Sequence, residues 1–493
     1  MRQKIFFQIL GPGVFFLMLW IGPPSEMSEP AFKVMAATIW IAIWWMTEAI
    51  PIPVTSFLPM ILYPMTNAVP LKVIAPSYAN PIIYIFVGGF ILALAMQKWN
   101  LHKRIALSII SITGTNMRQI ILGFILASAF LSMWISNTAT TVMMLPIALS
   151  IITQFKEFAG ASSLTQKNTE GFGKALILAI AYASSIGGIA TLVGTPTNLI
   201  FADAVEKFYG IAMPFDQWIG IGLPISLTIL VICWLVLSYF AFSLSSEKVE
   251  GSANIIKDEL KKLGKMSYEE KCVLTIFLLV AVAWITRRYL IAPFYPSVND
   301  TIIVMIGAVS LFLIPSKNKK GSQIMDWQSA VKLPWGVILL FGGAFAVAQS
   351  FESSKLTLWI GAQLGGLSDI PFWLVLLIVV AVVNFLTEIT QNIATCTLMM
   401  PILAALSGVL DVHPYGLMVA ACIASSCAFM LPVATAPNAV VFGSGYLQMK
   451  DMVRAGFVLN VVSIFVITFF VYFLLPTIWG IDLLSFPLDL KVK

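Results

Sequence analysis

Two stretches of this chain repeat one pattern at a fixed distance. Residues 130–147 read F-L-S-M-W-I-S-N-T-A-T-T-V-M-M-L-P-I, and residues 385–402 read F-L-T-E-I-T-Q-N-I-A-T-C-T-L-M-M-P-I. An offset of 255 places Asn137 on Asn392, Thr140 on Thr395 and Pro146 on Pro401. A second pair trails each copy: Gly194-Thr195-Pro196-Thr197-Asn198 after the first, Ala434-Thr435-Ala436-Pro437-Asn438 after the second. Small polar residues repeated inside two apolar halves constrain the chain to build one site from two related pieces, the arrangement of a membrane carrier.

The apolar context is chain-wide. Of 493 residues, 59% are hydrophobic and 11% charged, with a mean hydropathy of +0.93. A soluble domain carries about 25% charged residues, so the class is an all-α polytopic membrane protein. Spans of the length a bilayer requires read near 5–22, 33–49, 52–66, 81–99, 174–206, 214–242, 272–291, 300–315, 334–352, 414–443 and 453–478. Two further apolar stretches, 119–154 and 371–407, hold their polar motif in the middle, as a re-entrant helical hairpin does. Eleven spans with a cytoplasmic N-terminus and an outside C-terminus put about 21 of the 29 basic residues inside, which satisfies the positive-inside rule. The net charge of +6 therefore reports topology in an inner or plasma membrane and not nucleic-acid binding.

Phe86-Val87-Gly88-Gly89-Phe90 and Leu340-Phe341-Gly342-Gly343-Ala344-Phe345 extend the repeat; each is followed by a short amphipathic stretch, near 101–113 and 355–366, and then by a hairpin. An odd number of spans between the halves turns the second upside down, which places a ligand near the midplane between opposed broken helices. The polar segments 155–172 and 244–271 read as solvated linkers, the latter as the cytoplasmic connector between repeats.

Ser136-Asn137-Thr138 lies where unpaired polar groups are expensive. A lone triplet of this kind commonly ties helices together; its duplication turns the reading toward a ligand site. A hairpin tip frees backbone N–H groups for an anion, and Ser and Asn oxygens with freed carbonyls suit a hard cation such as sodium. Pro196 and Pro437 interrupt the helix ladder and release carbonyls near Gly194 and Ala434. Segments 125–153, 181–201, 372–410 and 423–442 contain no Lys, Arg or His. An anion bound there is neutralised by helix N-termini and co-bound cations, a physical argument for cation coupling. Glu388 is a functional candidate by residue type, although it would repel an anion, and Glu48 closes the turn between the second and third spans. Five cysteines without paired spacing and two distant histidines offer no catalytic set, no metal cluster and no cofactor site, so the chain is not an enzyme.

These motifs, with W-W-M-T-E-A-I-P-I-P-V-T at 44–55, resemble those of the divalent anion–sodium symporter family over essentially the whole chain. The resemblance implies a homodimer with scaffold parts (1–118 and 272–366) and elevator-type transport parts (119–243 and 371–493). It implies di- and tricarboxylates as substrates, less often sulfate, with a C4–C5 dicarboxylate such as succinate, malate, fumarate or oxoglutarate as the leading reading and sodium as the coupling ion. Carried over by motif, one sodium site uses Ser132, Ser136, Asn137 and the carbonyl of Gly194; the other uses Thr387, the carbonyl of Thr390, Asn392 and the carbonyl of Ala434. Substrate meets Ser136, Asn137 and Thr138, Gln391, Asn392 and Ile393, and the loop residues Thr195, Pro196, Thr435 and Ala436. The second copy departs from the pattern, with Gln391 for Ser and Ile393 for Thr. Gln391 is long enough to crowd or replace a cation ligand, which leaves sodium-independent dicarboxylate exchange as the alternative to symport.

Overall fold

The fold is organised by where helices are forced to stop. The structure is a computed structural model that describes residues 2–24, 26–114, 116–158, 163–242, 244, 252–318, 322–363, 366, 370–487 and 490. Among these every regular element is a helix, and ten helices are long and apolar enough to cross a membrane. Both expected hairpins form. The first pairs Met117–Ser132 with Asn137–Phe158, and the second pairs Phe372–Ile389 with Asn392–Val409. The first hairpin starts at a capping box, in which Gln119 N–H donates to Asn116 Oδ1 (2.8 Å) and Asn116 N–H to Gln119 Oε1 (3.3 Å).

Each of the two broken helices is interrupted at its polar loop. Ser163–Ile189 stops and resumes as Pro196–Tyr209; Pro414–Ser425 stops and resumes as Ala436–Phe442. Pro196 sits at the start of its resumed helix, where its missing N–H costs nothing, and Pro437 does the same in the second half. The first amphipathic stretch appears as Leu101–Thr113; the one expected near 355–366 is a short helix, Leu356–Gln363, that is apolar all round and not amphipathic, and the connector carries a helix, Ser252–Lys262. Residues 159–162 of the expected polar segment 155–172, and 245–251 of the connector, lie outside the described residues.

The span expected at 52–66 differs: it is two short helices, Ile52–Thr55 and Leu58–Met65. Four prolines, at 51, 53, 59 and 64, remove too many N–H donors for one continuous ladder. Asp300–Leu313 and Pro414–Ser425 are also shorter than a full crossing, while both arms of the second hairpin are long enough to make one.

Burial orders the helices. Within the apolar stretch of Thr169–Ile189, 94% of residues are buried, against 11% for Lys4–Ile21. The first is a central post and the second a rim helix with its side chains free to meet lipid. The post closes against the first hairpin because Gly187 has no side chain: a Cβ there would lie 2.4 Å from Ala129 O. Phe86 and Phe341, from the matched Gly-Gly segments, touch edge to face with centroids 4.9 Å apart. The two repeats thus meet through equivalent helices.

Two apolar cores result. A smaller one gathers Phe32, Ile41, Trp45 and Tyr63 from the N-terminal helices with Val347 and Phe351 of Trp335–Ser353; the larger holds most of the other helices, both hairpins included. Ala394 of the second hairpin belongs to the smaller core, and its neighbour Ile393 packs against both.

Candidate functional site

The two hairpin tips and the two helix breaks converge. The end of each first arm presents a hydroxyl, Ser132 or Thr387, to the first residue of the second arm, Asn137 or Asn392. Ser132 Oγ lies 2.7 Å from Asn137 Oδ1 and 2.6 Å from Ser184 O. Thr387 Oγ1 lies 2.8 Å from Asn392 Oδ1 and 2.9 Å from Ser425 O. In each half, one hydroxyl proton is shared by a side-chain amide oxygen and a backbone carbonyl. Both hydroxyls are fully buried.

Around Asn137 the crowding of acceptors is marked. Its amide faces Ser132 Oγ (2.7 Å), Ser184 O (3.1 Å) and Gly194 O (3.1 Å). Two arrangements satisfy such a cluster: the amide turns its NH₂ inward and donates, or its oxygen faces inward and a cation sits among the four oxygens. Neutral oxygens without a carboxylate are what a hard monovalent ion accepts. Gly188 lets the cluster pack this closely, since a Cβ there would lie 2.5 Å from Asn137 Oδ1 and 3.0 Å from Gly194 O. In the second half the same hydroxyl, amide and carbonyl recur, while no hydrogen bond joins Ala434 to Asn392 among the described residues. Thr390 places its hydroxyl on Leu386 O (2.8 Å) and against Thr395 Oγ1.

The loop threonines have matching roles. Thr195 (φ −139°, ψ 145°) and Thr435 (φ −140°, ψ 150°) both precede their resumed helices in extended backbone. Thr435 Oγ1 accepts from Asn438 N–H (3.2 Å), and Thr195 Oγ1 accepts from the Thr197 hydroxyl at 3.5 Å. Pro196 is half-buried, Ala434 buried and Ala436 exposed; Ser136 and Thr138 are half-buried beside Asn137. Four helix N-termini (Asn137, Pro196, Asn392 and Ala436) start at this junction. Their free N–H groups supply the positive potential that no basic side chain provides.

Several groups at the junction have no individual mark in the motif. Ser184 O and Ser425 O are backbone atoms, but a repeated Ala-Ser-Ser at 183–185 and 424–426 points at both. The trailing asparagines are clamps. Asn198 Nδ2 lies within reach of Thr191 O (2.7 Å), Gly188 O (3.2 Å) and Ile189 O (3.3 Å), and Asn438 Nδ2 donates to Leu431 O (3.0 Å) and Ala428 O (3.1 Å). Each therefore holds the carbonyls its break has released. Thr197 Oγ1 and Ser426 Oγ, 2.8 Å apart, join one half's loop to the other's.

Glu388 is a strut of the site. Its Oε1 accepts from Phe429 N–H (2.7 Å), Met430 N–H (2.9 Å) and Asn460 Nδ2 (2.7 Å), and its Oε2 from Leu431 N–H (3.0 Å). A buried carboxylate with four donors is satisfied by the second break and turned away from any ligand. Gln391 also departs from expectation. Instead of entering the second cluster, its Nε2 donates to Glu48 Oε1, at the end of Glu29–Thr47. Ile393 lies where the two apolar cores meet. Both departures from Ser-Asn-Thr thus serve contacts with the N-terminal helices.

No group of three or more His, Cys, Asp or Glu able to hold a metal occurs among the described residues, and the five cysteines are unpaired thiols.

A family model described as the sodium:sulfate symporter transmembrane region matches residues 3–483. A Staphylococcus saprophyticus protein named sodium-dependent dicarboxylate transporter SdcS is 45% identical over 98% of this chain and 93% of its own length. The protein of that name from Staphylococcus aureus is 44% identical over the same shares. Among solved structures, the YdaH transporter of Alcanivorax borkumensis superposes with a TM-score of 0.58 over 82% of this chain and 87% of its own, at 12% identity. MtrF of Neisseria gonorrhoeae does so with a TM-score of 0.60 over 93% and 98%, at 11% identity. At such identities the likeness is one of fold.

Proposed function

Because the chain belongs to the sodium:sulfate symporter family, a family of multi-pass membrane transporters and not of enzymes, we propose that it is a secondary active transporter coupling C4–C5 dicarboxylates to sodium. Succinate, malate, fumarate and oxoglutarate are the substrates of this class. The observation that carries the reading is the pair of oxygen clusters around Asn137 and Asn392, set at four helix N-termini in segments without a basic side chain. A dianion placed there needs counter-charge, and cations held by the two clusters supply it beside the helix ends. The names of the relatives at 44% and 45% identity support both the ion and the anion.

In this reading Ser132, Asn137 and the carbonyls of Ser184 and Gly194 hold one sodium ion. Thr387, Asn392 and Ser425 O hold another, with Thr390 and Ala434 close by on the same tip and break. Thr138, Thr195 and Thr435 offer hydroxyls to the substrate carboxylates from around the junction. The hairpins and broken helices move as one transport part against the N-terminal helices and Trp335–Ser353, as an elevator, in a homodimer in the inner or plasma membrane with its N-terminus cytoplasmic. Without cation and anion, the polar tips resist crossing the apolar boundary. With Gln391 directed away from the second cluster, coupling to sodium is favoured over obligate exchange.

The test is uptake of labelled succinate into proteoliposomes, with and without a sodium gradient and at several internal succinate concentrations. Symport requires uptake that follows the gradient and proceeds into empty vesicles. Uptake that ignores sodium and requires internal succinate would replace symport by exchange.

A further inference from the structure

Gln391 stands first at the second hairpin tip, yet its side chain does not cap its own helix. In the first copy Ser136 Oγ does so, accepting from Ala139 N–H at 3.4 Å. A residue released from capping, with a longer reach, turns its carboxamide NH₂ to Glu48 Oε1. Glu48 is held out for this contact by its backbone. It ends Glu29–Thr47 in the left-handed region (φ 46°, ψ 39°), which a glutamate adopts only at a cost in strain.

The carboxylates near the junction have opposite fates. Glu388 is buried, and both of its oxygens are taken by backbone and Asn460 donors. Glu48 is exposed, and its partner Gln391 is half-buried beside Asn392. The same NH₂ group stands beside the N-terminus of Asn392–Val409, within the reach of a carboxylate bound there, and like charges do not share a donor without mutual repulsion.

We propose that Glu48 is an internal competitor: in the substrate-free protein its carboxylate occupies Gln391 Nε2, the donor that a substrate carboxylate takes on binding. Gln391 thereby offers the anion a donor at the second hairpin tip, and Glu48 sets how tightly the anion is held. The proposal rests on the dicarboxylate reading above and adds to it a residue outside both hairpins. It also gives the N-terminal helices a sense of occupancy, because Glu48 is released when the site fills.

Uptake of labelled succinate by proteoliposomes, with KM measured for single and double variants, tests it. Glu48→Asn keeps a residue that tolerates the left-handed backbone but shortens it out of reach, so KM is expected to fall about three- to ten-fold. Gln391→Ala is expected to raise KM by a similar factor. The double variant should match Gln391→Ala alone, since Glu48 acts only through that amide. A fall in KM of equal size in both backgrounds would assign Glu48 a through-space repulsion and overturn the proposal, as would an unchanged KM in Glu48→Asn. Glu48→Gln, which keeps length and an acceptor but no charge, should lie between native and Glu48→Asn. It serves as the reference if the shorter variant is poorly folded, and a KM equal to native in it would again overturn the proposal. Failure of the native protein to take up any dicarboxylate sinks the transport reading; native uptake with additive variants sinks this inference alone.

Discussion

The two hairpins carry the same asparagine and hydroxyl but are tied to the rest of the molecule in opposite ways. In the first half the tie runs from break to hairpin, with the Thr191 hydroxyl donating to Met133 O at 2.5 Å. In the second the side chain comes from the hairpin instead, with the Glu388 carboxylate accepting from Phe429, Met430 and Leu431 N–H of the break. Glu388 stands at the position of Met133 under the repeat offset, so a carbonyl contact in one copy has become an acidic strut in the other. Their surroundings differ as well. The first hairpin packs against the central post Ser163–Ile189, whereas the second leans through Ile393 and Ala394 on the N-terminal core and reaches Glu48 through Gln391. Divergence between the copies has therefore fallen on support and contact surfaces, while the oxygen clusters stayed alike.

If that is right, the largest losses come from the groups the copies share. Asn137→Ala and Asn392→Ala should each lower sodium-driven succinate uptake by roughly a hundredfold or more, since each removes an oxygen from one of the two proposed cation sites. Reconstituted initial rates, corrected for protein inserted, measure this. A variant that keeps near-native uptake would show the copies to be unequal at the site itself.

The next effect separates the two ties. Glu388→Ala leaves three backbone N–H groups and an amide without their acceptor and should cost about 3–5 kcal/mol. Thr191→Val removes a single hydrogen bond and should cost about 1 kcal/mol. Thermal unfolding in detergent compares them, and equal losses would erase the distinction. A smaller effect is expected from Ile393→Thr, which restores the hydroxyl of the first copy. Because Ile393 packs between two apolar cores, the change should lower stability by about 1 kcal/mol without tightening succinate binding. A lower KM would place this side chain at the substrate instead.

Much of this was legible in the sequence because repetition is a strong signal. Hairpin limits, both breaks and the amphipathic helix Leu101–Thr113 follow from apolar length, Pro196 and Pro437, and the position of each polar motif. The span at 52–66 was misjudged because hydropathy does not register proline spacing. Backbone carbonyls at the junction such as Ser184 O leave no trace in residue type, although the paired Ala-Ser-Ser marks their neighbourhood. The trailing asparagines were visible, but their task as clamps depends on which carbonyls the break releases. Gln391 misled for a different reason. Its length suggested a cation ligand, and only the fold brings Glu48, 343 residues away in sequence, to the hairpin tip.

Two like clusters, one in each half, are proposed to hold the ions that neutralise the anion. Parallel uptake of sodium-22 and carbon-14 succinate into the same proteoliposomes, at matched initial rates, tests it most directly. At least two sodium ions should enter with each succinate, and Ser132→Ala and Thr387→Val should each raise the sodium concentration for half-maximal uptake. A ratio of one or none, or a sodium dependence that neither variant shifts, would contradict it.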